Sequence, residues 1–74
     1  MEKLEKEILL RKIAQRIKQL RAEKKITQEM IYFDTGINIG RIERGVRDFS
    51  MSTLKIICNY MNISAKEFFD GVDI

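Results

Sequence analysis

Histidine, proline and tryptophan are absent from the 74 residues, and cysteine occurs once, at Cys58. Each gap removes a class of protein. Without His, and with a lone thiol, the chain holds neither a tetrahedral zinc set nor an imidazole general base, and it cannot close a disulfide within itself. The missing Pro removes linkers of the Pro-rich kind. No uninterrupted apolar run approaches the ~20 residues that a membrane-spanning helix needs. The N-terminal stretch alternates charged with apolar residues and has no signal-peptide h-region. The expected compartment is therefore a reducing cytoplasm, with no membrane partner. A chain of this length makes one domain, too small for a large catalytic cleft. Its acids are spread over separate segments, so no enzyme is expected, and no cofactor, metal or small-molecule substrate.

What the chain does carry is charge, unevenly placed. The formal net charge is +3. Residues 1–7 hold two Lys and three Glu, residues 8–47 hold ten Lys/Arg against four Asp/Glu, and residues 48–74 hold two Lys against four acids. A basic first two thirds with a mildly acidic tail suits one face for an anion and another for something else. A helical protein that wears Lys and Arg on its solvent faces has the same composition, so charge alone leaves both readings open.

Apolar spacing predicts an all-α bundle of about five helices. Over 4–24, Leu9, Ile13, Ile17 and Leu20 form one stripe with Leu10 and Ala14 beside it, while Arg11, Lys12, Arg16, Lys18 and Arg21 occupy the other faces. A polar break is expected over 22–25. Thr27 caps a second helix over 28–34, which buries Met30 or Ile31 together with Phe33, and Gly36 ends it in the left-handed conformation. Asn38 caps a very short third helix over 39–44, closed by Gly45. Ser50 caps a fourth over 51–61, with Leu54, Ile57, Cys58 and Met61 inward, and Asn62 breaks it. Ser64 and Glu67 read as a capping box for a fifth helix that carries Phe68 and Phe69 and ends at Gly71. Residues 1–9 read as an N-terminal extension and 10–74 as the domain proper. The extension either lengthens the first helix or packs on a partner through Leu4 and Ile8, or it frays.

Two short helices joined at a Gly make a helix-turn-helix, a weak signal alone. The surrounding residues sharpen it. Ile13-Ala14-Gln15-Arg16-Ile17-Lys18-Gln19-Leu20-Arg21, then Ile26-Thr27-Gln28-Glu29, Gly36, Arg41-Ile42-Glu43-Arg44-Gly45 and Ser50-Met51-Ser52-Thr53-Leu54 resemble the phage-repressor (Xre-type, Cro-like) helix-turn-helix family, with its lambda-repressor-like fold. The resemblance covers about residues 10–69. It implies that the second helix crosses the DNA backbone and the third enters the major groove. It places Gln28 at a phosphate, helped by the free N–H groups of the helix start at Thr27. It sets Arg44 and Arg47 on the backbone from the following loop, and makes Arg21 and Glu43 a structural ion pair.

The chain departs from that family in two places. Gln28 and Glu43 stand 15 positions apart, about three fewer than in the familiar repressors, which turns the remaining face of the third helix by about 60°. The loss falls where base-reading side chains normally sit. The outward candidates left are Asn38, Gly40, Arg41 and Arg44, with Ile39 and Ile42 facing the core. Arg41 forks onto a guanine edge, or onto a phosphate, or stays in solvent. Asn38 serves first as a cap and then as a DNA contact, and Gly40 either admits a close backbone or relieves crowding. Lys24 and Lys25 divide between the DNA backbone and solvent. The second departure is Tyr32, a large ring at a position the family gives to a small residue, which predicts that the two helices meet differently.

The reading that follows is a sequence-specific double-stranded DNA-binding transcriptional regulator, a bacterial or phage repressor acting as a homodimer. Its partner contact comes from the C-terminal third, where one of Phe68 and Phe69 is a candidate, or from the N-terminal extension. The competing reading is a protein-interaction or antitoxin-like module on the same fold, with weakened base reading.

Overall fold

The computed structural model describes residues 3–73, with side chains from Glu5 to Asp73, so the expectation for the Leu4 side chain lies outside the described residues. The chain forms α1 (Lys3–Lys24), α2 (Gln28–Thr35), α3 (Ile39–Glu43), α4 (Met51–Tyr60) and α5 (Ala65–Asp70). The fold is all-α, as the apolar spacing predicts. α1 is the spine. Its 22 residues span about 33 Å at 1.5 Å per residue, close to the 34 Å long axis of the molecule. The stretch 3–9 continues this helix, and Ile8 stays 45% exposed. The expected break over 22–25 shrinks to Lys25 alone, which takes the left-handed conformation at φ 57. Ala22, Glu23 and Lys24 have high or adequate helix propensity and extend the helix instead.

Local hydroxyls and amides set the helix starts. The Thr27, Asn38, Ser50 and Ser64 side chains accept from the backbone N–H of Met30, Arg41, Thr53 and Glu67 respectively. Each satisfies one orphan donor. At α5 the hydroxyl half of the expected capping box forms; a return bond from the Glu67 carboxylate is absent among the described hydrogen bonds. Gly36 and Gly45 sit at positive φ, +77 and +73, and turn the chain out of α2 and α3. Asn62 does the same after α4, at φ 59.

The core lies between α1 and the four shorter helices. Ile17, Ile31, Ile39, Ile57, Cys58, Met61 and Phe68 are fully buried in it, and Ile13, Leu20, Ile42, Leu54 and Val72 nearly so. α1 packs on α3, α2 on α3, and α4 on α5. Phe69 lies half-buried at the edge, its ring 5.2 Å from that of Phe68 in a T-shaped pair. α2 corrects one expectation. Ile31 is buried, whereas Met30 is 44% and Phe33 89% exposed. Phe33 lies two residues, about 200° of helix, from Ile31, so both cannot face inward from one straight helix. Ile31 and half-buried Thr35, spaced i, i+4, form the inner stripe instead. Among the described residues no helix is long and apolar enough to cross a membrane.

α5 is held from the opposite end of the chain. Arg16 donates from Nε to the Phe68 carbonyl (2.8 Å) and from Nη2 to the Glu67 carbonyl (2.9 Å). A cation on the last carbonyls of a helix complements both their hydrogen-bonding need and the negative end of its dipole. Lys12 also donates to the Asp73 carbonyl. The placement of Arg16 on an outward face is thus corrected: the side chain is half-buried against α5.

Candidate nucleic-acid interface

α2, the turn after it and α3 form a helix-turn-helix whose geometry is fixed from beneath by one buried carboxylate. Glu43 is 5% exposed. Its Oε2 accepts from Arg21 Nε at 2.5 Å, and its Oε1 from Arg21 Nη2 at 2.9 Å and Gln28 Nε2 at 3.0 Å. Arg21 uses its remaining nitrogen on the Ile26 carbonyl (3.0 Å), which pins the segment between α1 and α2. The bidentate bond to Glu43 holds the Arg21 guanidinium above its ordinary pKa against the opposing effect of burial. One side chain at the end of α3 thereby sets both the end of α1 and the start of α2.

The turn has its own bonds. Thr35 Oγ1 donates to the Ile31 carbonyl (2.6 Å) and accepts from Ile37 N–H (3.1 Å), and Gly36 N–H returns to the Tyr32 carbonyl (2.8 Å). Across the far end, the Tyr60 hydroxyl donates to Asp34 Oδ2 at 2.6 Å and ties α4 to α2.

On α3 the side chains divide as its spacing predicts. Ile39, Ile42 and Glu43 are buried; Arg41 is exposed. Arg41, Arg44 and Arg47 line one depression together with Val46, which is 70% exposed. Among the described residues the ion pairs are Lys6–Asp48 and Arg21–Glu43. The three arginines therefore converge without a carboxylate partner. Lys25, Thr27, Gln28 and Asn38 are exposed. Gln28 combines two positions, since its amide is bonded to Glu43 while the residue opens α2. Asn38 is committed to Arg41 N–H at 3.3 Å.

Gly40 leaves room for the Gln28 amide. A Cβ there would stand 3.2 Å from Gln28 Oε1, tighter than ordinary van der Waals contact, and 3.4 Å from Asn38 Oδ1. The Tyr32 ring remains 60% exposed. The exposed aromatics of α2 were not foreseen from the sequence; the signal available was the poor fit of Met30, Tyr32 and Phe33 to a single helical stripe. Among the described residues no group of three or more Cys, Asp or Glu side chains is gathered as a metal site would need.

No curated protein and no solved structure matches this chain. A family model described as a helix-turn-helix domain matches residues 14–74. That interval runs from the middle of α1 through α5 and contains the Arg21–Glu43 pair, both capped short helices and the arginine depression. The chain belongs to the helix-turn-helix domain family.

Proposed function

We propose that this protein is a sequence-specific double-stranded DNA-binding transcriptional regulator of the phage-repressor (Xre-type) kind, working as a homodimeric repressor with a recognition helix shortened by about one turn. The observation that carries the reading is the depression of Arg41, Arg44 and Arg47, which have no ion-pair partner among the described residues and stand at the end of the helix-turn-helix. Three guanidinium groups gathered on one exposed surface suit a polyanion, and the phosphates of a duplex supply one. Arg41 is the base reader, forking onto guanine O6 and N7. Arg44 and Arg47 hold the backbone. Lys25, Thr27 and Gln28 meet the phosphate on the α2 side, where the helix start offers N–H groups. Asn38 caps α3 and touches the same strand. Residues 10–74 form the binding domain and 1–9 are its N-terminal extension, of which 3–9 lengthen the first helix. A single short α3 reads few base pairs, which is the reason for a dimer.

The test is selection of bound duplexes from a randomised library. Enrichment of an inverted repeat with half-site centres about ten base pairs apart supports the reading. Retention without any enriched sequence overturns it in favour of an interaction module with residual affinity for polyanions. In the selected site, Arg41→Ala weakens specific binding more than binding to random duplex, and Arg47→Ala weakens both alike. Equal losses for Arg41→Ala would move that side chain to the phosphate group.

A further inference from the structure

The helix-turn-helix carries a second depression, and it differs from the first in chemistry. It opens between Gln28, Glu29, Tyr32 and Phe33 of α2, the cap Asn38, and Gly40 of α3. Gly40 lines this depression and the next residue, Arg41, lines the arginine one, so α3 separates them. Its floor at Gly40 is backbone, and its walls are aromatic. Tyr32 is 60% and Phe33 89% exposed. Folding does not account for them, because Ile31 is the side chain that seats α2.

We propose that this aromatic depression is a second reading element of the interface, in which Tyr32 and Phe33 receive the 5-methyl groups of thymines in the major groove. The inference rests on the duplex-binding reading above. α3 turns Ile39, Ile42 and Glu43 inward and has no side chain at Gly40, which leaves Arg41 as its one outward reader. A half-site specified by one arginine is poorly specified, and the adjoining surface is the aromatic one. Glu29 on the lip repels phosphate, which reserves the depression for base edges. Bases in a stacked duplex show only those edges, and the apolar feature that the major groove offers is the thymine methyl. Guanine at Arg41 and thymine beside it together define a readable step.

The experiment replaces each thymine of a selected duplex in turn by deoxyuridine, which removes the 5-methyl alone. At one or two positions per half-site the affinity of the full chain falls roughly fourfold, the effect of withdrawing one buried methyl-sized group. Tyr32→Ala and Phe33→Ala bind the thymine duplex more weakly by a similar factor. At those positions one or both of them no longer distinguish thymine from uracil. Both side chains are exposed, and melting temperatures of the variants are expected to match the parent. Uniform tolerance of uracil by the parent, or undiminished discrimination by both variants, overturns this proposal and leaves duplex binding standing. Self-association of the parent that Phe33→Ala abolishes, with uracil discrimination unchanged, assigns the rings to a second copy of the chain and equally overturns it. Failure to retain any duplex overturns the DNA-binding reading, and this proposal with it.

Discussion

Removing the carboxylate of Glu43 tests what holds the helix-turn-helix in shape. In Glu43→Ala, Arg21 loses the partner of both Nε and Nη2 and keeps only the Ile26 carbonyl. The Arg21 side chain is 19% and the Glu43 side chain 3% exposed, so water replaces the lost carboxylate only in part. Breaking a buried pair by deleting one member costs about 3–5 kcal/mol. Partial access to Arg21 favours the lower end. A domain of this size has about 4–11 kcal/mol in all, and a loss of 3 kcal/mol lowers its melting temperature by about 12–24 °C. Glu43→Gln keeps the shape and one acceptor, and falls between. The double variant Arg21→Met with Glu43→Leu recovers much of the loss, because the uncompensated charge is gone. Circular dichroism at 222 nm during heating, with urea titrations alongside, measures all four proteins. A Glu43→Ala protein that melts within about 3 °C of the parent yet loses duplex retention would refute the structural assignment and make Glu43 part of the binding surface.

Three further outcomes follow from particular contacts. Gly36→Ala incurs left-handed strain alone, about 1 kcal/mol, since nothing lies within 4 Å of its Cβ position. Gly45→Ala adds a 3.1 Å approach to the Arg11 Cα and costs about 2 kcal/mol or more; equal melting shifts for the pair would contradict this. Arg16→Ala frees the α5 carbonyls at a cost of about 1.5 kcal/mol, discounted for partial exposure. A Cβ at Gly71 would overlap the Arg16 guanidinium, so Gly71→Ala disturbs the same bonds and the two changes are less than additive. The hydrogen bond to Asp34, then burial, raises the Tyr60 pKa. Its contribution to stability is complete below the ordinary phenol range near pH 10 and is lost as pH rises through the raised value. Absorbance at 295 nm shows a late-titrating phenol that Tyr60→Phe removes.

The parts legible in the sequence are those governed by chemistry three or four residues apart. Thr27, Asn38, Ser50 and Ser64 announce helix starts because each cap bonds its own third neighbour. Gly36 and Gly45 mark ends because few other residues accept a positive φ. The α1 stripe is long enough for its period to be unambiguous. α2 has eight residues, about two turns, too few for a period to decide between Ile31 and Phe33. Tertiary packing made that choice. Arg16 and Tyr60 find partners 52 and 26 positions away, and no local pattern encodes such distances. The pairing of Arg21 with Glu43 follows from the family resemblance rather than from spacing. The arginines at 41, 44 and 47 stand in the sequence as separate candidates, while their convergence and the neighbouring aromatic wall depend on how α3 is seated.

The clamp of Arg16 also makes α5 dependent on α1. α5 has six residues, below the length at which a helix persists unaided. It therefore forms as it docks. Yet it brings Phe68, with 0% exposure, and is followed at once by Val72, with 7%. The burial of Phe68 thus depends on a side chain of α1: without the Arg16 guanidinium on its carbonyls, α5 has neither the length nor a partner for its C-terminal end to stay helical.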